Sequence, residues 1–204
     1  MPTEQGERFD DHTDGEPMSN EAVSIYYLDD ATREALLSEV NECVFNWSTR
    51  ESWPMGVIMS CLWHEDRMWL TAGAHRHRIS AVRRNPKVSV VVTSTGTELG
   101  TGKTVTIKGK CHIREDDETK SWFYPKFSRH LHGDNGPEAA IFEEKLNSPL
   151  RVILEVVPEK FITYDGTKMF LHSAGKLKDE SVLTEPSTAD TERLARELKR
   201  RGMA

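Results

Sequence analysis

The stretch from Arg67 to Val92, RMWLTAGAHRHRISAVRRNPKVSVVV, constrains the fold more than any other part of the chain. Met68, Trp69 and Leu70 are strand-type residues that end at Thr71, and Ala72, Gly73 and Ala74 are small enough for the backbone to turn closely. His75, Arg76, His77 and Arg78 then place nitrogen donors at the start of a helix whose apolar face carries Ile79 and Val82. Asn85-Pro86 stops that helix, because the residue before a proline disfavours the α region. Lys87 to Val92 resumes as a valine-rich strand. Strand, basic turn, helix and strand in this order suit an anion. A helix N-terminus offers unpaired N–H groups and the positive end of the dipole, and Arg adds forked donors that match phosphate oxygens. A solvated basic turn is the alternative that these residues alone leave open.

The basic run sits in an acidic chain of 204 residues with a net charge of -6. A general nucleic-acid binder carries a basic surplus, so the expected ligand is a small anion and no nucleic-acid partner is expected. Cys43, Cys61 and Cys111 lie far apart with no CxxC, which reads as buried reduced thiols rather than a zinc ribbon or a disulfide framework. No apolar run is long enough for a bilayer, and MPTEQGERFDDHTDGEP does not read as a signal peptide. The expectation is a cytoplasmic protein with no membrane partner.

Residues 1–20 read as a flexible acidic arm, 21–173 as the folded domain and 174–204 as a polar linker with a charged helix. Asp29 or Asp30 can cap a helix through ATREALLSEVNE, with Leu36, Leu37 and Val40 as its stripe. Val44 to Trp47 is a short strand. Met55 to Trp63 reads as one strong strand, joined through His64-Glu65-Asp66 to Arg67–Thr71 as a hairpin. Lys87–Thr95 and Lys103–Arg114 are further strands, with Gly109 marking a bulge or a close approach of ligand. Asp116 to Leu131 is helical, with a kink or break at Pro125, and Pro137 opens another helix. Leu150–Val157 and Lys160–Tyr164 read as two strands about a turn at Pro158-Glu159. Asp165-Gly166 reads as a hairpin turn, and Thr188–Arg201 as a helix with Leu194 and Leu198 on one side. The element count predicts a mainly β, α+β barrel of six to seven antiparallel strands with short peripheral helices.

MGVIMSCLWHEDRMWLTAG, HRHRISAVRRNPKVSVVV, KTVTIKGKCHI and PLRVILEVVPEKFITYDGTKM, in this order, resemble the flavin-binding split-barrel family related to pyridoxamine 5'-phosphate oxidase, from about Leu36 to Leu171. The resemblance implies a Greek-key split β-barrel, a homodimer, and FMN in a groove shared by both subunits, with the deazaflavin F420 as the alternative cofactor. It places Arg78 on the flavin phosphate and Arg76 as a neighbouring phosphate contact. The turn is one residue longer than usual, so His77 can take either role. Thr71 matches the strand end passing the ribityl chain. Val57, Ile58, Met59 and Ser60 match the strand beside the isoalloxazine ring, and Thr104 and Lys108 the later strand facing the cofactor. Trp47, Trp53 and Trp63 are candidates for the dimer interface.

The implied activity is an oxidoreductase passing hydride between the flavin and a small-molecule substrate, with a non-catalytic flavin-binding protein as the other reading. The family's C-terminal Arg–His motif for the B6 substrate is missing from ARELKRRGMA, and Lys168 and His172 are the nearest substitutes. Oxidation of pyridoxamine 5'-phosphate is therefore not expected. The sequence singles out no catalytic residue. His75 with His77, and His130 with His132, lack further partners for a metal, and no metal site is expected.

Overall fold

The computed structural model describes residues 21, 23–134 and 137–203; the stretch 1–20, expected as an arm, lies outside the described residues. In chain order the elements are α1 (Asp30–Glu39), β1 (Glu42–Ser48), β2 (Pro54–Ser60), β3 (Leu62–His64), β4 (Arg67–Gly73), α2 (His77–Arg84), β5 (Lys87–Thr93), β6 (Lys103–Arg114), α3 (Asp117–His132), α4 (Pro137–Leu146), β7 (Arg151–Asp165), α5 (Gly166–Ser173) and α6 (Thr188–Arg201). All strand pairs are antiparallel, in the order β2-β1-β5-β6-β7-β4-β3. The two edge strands, β2 and β3, are joined through Cys61 alone. A sheet whose edges are tied by one residue has to curl, and the seven strands form the expected split barrel.

This corrects the reading of Met55–Trp63 as one strand of a hairpin. Only Leu62–His64 pairs with β4, while Pro54–Ser60 pairs with β1. The change of partner falls at Cys61, which is wholly buried and whose N–H donates to the Asn41 carbonyl. The turn expected at Pro158-Glu159 is also corrected, because β7 runs unbroken from Arg151 to Asp165. Its register against β6 slips between Lys108 and Gly109, so Glu159 is the extra residue of a bulge, where a strand proline is tolerated. Gly109 serves this packing. A Cβ on it would lie 2.2 Å from the Val157 carbonyl oxygen. Asp165-Gly166 starts a helix and is not a hairpin turn. The buried Asp165 carboxylate accepts from the N–H groups of Thr167 and Lys168 and caps α5. Pro125 does not divide α3 into two helices. The Ser121 carbonyl, which loses its partner to the proline, belongs to an exposed residue that water can serve.

Alternation of side chains sets the layers. Val88, Val90, Val92, Val105, Ile107 and Leu154 are among the residues that fill the barrel interior. Leu36 and Leu37 of α1, capped by Asp29, and Ile79 and Val82 of α2 are buried in the same core. The opposite face of β4 and β7, with Trp69 and Ile153, packs under Phe123 and Phe127 of α3 in a second apolar layer. Among the described residues, the outer face of β1, β5, β6 and the second half of β7 carries no such cover. Val44 and Ile162 stay exposed there, and Ile58 of β2 is 70% exposed.

Candidate functional site

The loop between β4 and α2 is built for a close turn. Ala74 N–H donates to the Leu150 carbonyl and Arg76 N–H to that of Gly73. A Cβ on Gly73 would fall 2.8 Å from Cε1 of the His75 ring, so the ring occupies the place of a side chain. Arg76 takes the N-cap position of α2 without a side-chain capping bond, which leaves the positive end of the helix open to a ligand. His75, Arg76 and His77 are exposed and Arg78 is half-buried. The Arg78 Nε is fully shielded from solvent and has no hydrogen-bond partner among the described residues. Burial first, and the neighbouring Arg76 charge second, push the Arg78 guanidinium below its ordinary pKa. A guanidinium that is partly desolvated and short of a partner is completed by an anion with acceptor oxygens.

One face of α2, with His77, Ser80, Ala81 and Arg84, looks across a cleft of about 490 Å³ to Trp47, Thr49, Arg50, Glu51 and Met55 of the β1–β2 hairpin. Arg84 also donates to the Ser48 carbonyl at 3.1 Å, which ties the helix to that hairpin. The cleft has an apolar floor and a largely cationic rim. Sequence reasoning found His77 but missed the other lining residues. The helical spacing of His77, Ser80, Ala81 and Arg84 is a signal that would have grouped four of them.

The remaining predicted residues fall in separate places. Met59 points into the barrel and Val57 packs against its core, so of the four β2 residues it is Ile58 and Ser60 that face outward. Thr71 lies on the face of β4 away from the barrel interior, and its hydroxyl donates to the Val152 carbonyl at 2.9 Å. Thr104 and Lys108 lie on the outer face of β6, three strands from β2 in the sheet order. At about 4.8 Å per strand they stand roughly 14 Å from β2. One protomer therefore does not bring all the predicted residues together.

Trp63, offered as an interface residue, is buried within the protomer, and its Nε1–H donates to the Glu34 carboxylate. Lys168 donates to the Tyr27 carbonyl at 2.9 Å, and His172 Nδ1 lies 2.8 Å from the Tyr26 hydroxyl. Both serve to clasp the segment before α1. Among the described residues, no three His, Cys, Asp or Glu gather as a metal site, and no helix is long and apolar enough to cross a membrane.

None of the curated proteins matches the sequence. Among solved structures, a conserved hypothetical protein from Mycobacterium tuberculosis is similar with a TM-score of 0.63 at 17% identity, over 72% of this chain and 91% of that one. A candidate 5-nitroimidazole antibiotic resistance protein from Bacteroides thetaiotaomicron gives 0.53 at 18% identity, over 68% and 84%. A candidate pyridoxamine 5'-phosphate oxidase from Listeria innocua gives 0.50 at 20% identity, over 65% and 95%. These likenesses establish the fold. The family described as pyridoxamine 5'-phosphate oxidase matches residues 28–165, from the segment before α1 to the end of β7. With that match over most of its length, the chain belongs to the pyridoxamine 5'-phosphate oxidase family.

Proposed function

We propose that the protein is an FMN-dependent oxidoreductase acting on a small molecule, with the flavin phosphate held at the start of α2. The observation that carries this reading is the half-buried Arg78, whose Nε has no partner among the described residues. The residues fit the group. Arg78, the uncapped N-terminus of α2 and either Arg76 or His77 supply donors for a phosphate. Ile58 and Ser60 offer a strand face along which a planar ring can lie. Thr71 fixes the strand end from which the loop departs. When bound, the flavin supplies the two-electron hydride chemistry. The chain's own part is to anchor the phosphate and to orient the ring against β2.

Thr104 and Lys108 reach the cofactor in this reading from the second subunit of a homodimer, since they lie too far from β2 in their own. The uncovered outer face around Val44, Ile58 and Ile162 supports that pairing. The three free, buried thiols agree with a reducing cytoplasm. Pyridoxamine 5'-phosphate is not the substrate proposed, because Lys168 and His172 are engaged with Tyr27 and Tyr26 and are not free to hold a second phosphate.

The test is the absorption spectrum of the protein as purified, with mass spectrometry of the released cofactor and sedimentation at micromolar concentration. FMN on a dimer is expected. Release of F420 would replace the cofactor, and a monomer binding FMN at full affinity would contradict the shared site. Incubation with pyridoxamine 5'-phosphate and oxygen should yield no pyridoxal phosphate at ordinary enzymatic rates, about 1 per second or faster.

A further inference from the structure

β7 loses a neighbour partway along. β4 pairs with it only from Arg151 to Val156, while β6 follows it to Asp165. The barrel is split beyond Val156, and α1 bridges the opening. On one side Glu34 accepts from the Trp63 indole N–H, and on the other the Arg33 guanidinium lies 4.6 Å over the Phe161 ring. A cleft of about 420 Å³ sits in this split, with Trp63, Pro158 and Phe161 as apolar walls. It stands at the Arg67 end of β4, and the loop that leads to Arg78 leaves from the Gly73 end. Seven residues of strand keep the two places roughly 20 Å apart.

Four charged side chains line the cleft, and two of them are already engaged. Glu34 holds the indole, and Arg67 is held by Glu155 at 2.8 Å and by the Glu65 carbonyl at 2.9 Å. The other two are incomplete. Arg33 Nη1 donates to Asp30 at 2.5 Å, but Arg33 Nε is shielded from solvent and has no partner among the described residues. A buried donor without an acceptor is unfavourable. Asp66 has no ion pair among the described residues. Its turn is also an unusual place for it. Glu65 and Asp66 both take left-handed backbone, with φ of 51° and 57°, where Asn-Gly is the usual pair.

We propose that the cleft binds a small zwitterion of the amino-acid class, with its carboxylate on Arg33, its ammonium on Asp66 and its carbon chain against Trp63 and Phe161. A simple anion leaves Asp66 facing it with the same sign, and a simple cation leaves Arg33 incomplete. A zwitterion satisfies both and joins α1 to the β3–β4 turn, the two lips of the split. The site is separate from the flavin site and does not depend on it.

The probe is the Trp63 indole N–H resonance of the isotope-labelled full chain, identified by its loss in Trp63→Phe. Glycine, γ-aminobutyrate and ε-aminohexanoate are titrated as zwitterions of increasing charge separation, with hexanoate and hexylamine as single-charge controls. At least one zwitterion should shift the resonance to saturation and bind about tenfold or more tighter than either control, the worth of one charge-assisted hydrogen bond. Arg33→Lys keeps the charge over Phe161 but loses the forked donors, and Asp66→Asn tolerates the same backbone. Each should weaken that zwitterion about tenfold and leave FMN affinity at the parent value. Hexanoate or hexylamine binding as tightly as the best zwitterion would overturn the proposal. So would the absence of any shift across the panel, or a shift that survives both substitutions.

Discussion

Two arginine clusters on this barrel are opposites. Under α3, Glu155 of β7 is 5% exposed, forms ion pairs with Arg67 at 2.8 Å and with Arg114 at 2.6 Å, and accepts a hydrogen bond from Arg114 Nε at 2.7 Å. The carboxylate is built into the strand, and both arginines are satisfied by the protein. At the start of α2, Arg76 and Arg78 are neighbours with no carboxylate paired to either among the described residues. The same residue type thus makes a structural tie in one place and an incomplete site in the other. What separates them is whether the fold itself provides the counter-charge.

The first way to break this contrast is Glu155→Gln. Loss of the buried carboxylate, whose arginine partners are partly solvated, should cost about 1.5–3 kcal/mol, lowering the melting temperature by roughly 5–10 °C. A fall of under about 2 °C in thermal unfolding would show that the tie is not structural. Next is Arg78→Ala, which should weaken FMN binding more than tenfold, a loss of about 1.5–3 kcal/mol. The melting temperature without flavin should stay within about 2 °C of the parent. A drop as deep as that of the Glu155 variant would make Arg78 structural too.

Salt sharpens the same difference. Raising NaCl from about 0.05 to 0.5 M should reduce FMN affinity several-fold in equilibrium titration, while the stability penalty of Glu155→Gln should change little. Capture of a phosphate from bulk solvent is screened by salt, whereas the Glu155 carboxylate is already shielded within the fold. The smallest effect belongs to Arg83, on the same helix as Arg78 but paired with Glu115 at 2.7 Å in solvent. Arg83→Ala should cost at most about 1 kcal/mol and leave FMN affinity unchanged in the same titration. A large loss of affinity would mean that total charge on α2 matters, and not the one incomplete guanidinium.

Much of this was legible before the structure. The limits of α2 follow from HRHR on one side and Asn85-Pro86 on the other, and the valine alternation of β5 fixes its buried face. Gly109 was recognisable as an irregular point. Tertiary choices were not legible. MGVIMSCLW has a uniform strand composition, so nothing local marks Cys61 as the place where the strand changes partner. Pro158 is a turn residue by propensity, and only the bulge against Gly109 keeps it inside a strand. Asp165-Gly166 satisfies a hairpin turn and a helix cap equally well, and the capping bonds decided it. At the site, the basic run announced an anion, but the cleft depends on Trp47, Arg50 and Met55, which only the curl of the sheet brings beside α2.

The sheet order also governs how the chain is made. β7 lies between β6 and β4, yet it is the last strand in the sequence. A nascent chain emerging from the ribosome first completes the β3–β4 hairpin, then the group of β1, β2, β5 and β6, as two pieces with no shared hydrogen-bond ladder. They remain so for roughly five seconds of translation, each with an open strand edge able to pair with another chain. The arrival of Arg151–Asp165 closes both edges in one step. A premature stop before β7 should therefore yield not a smaller soluble domain but an aggregate, and the interval before that strand is when a chaperone would matter most.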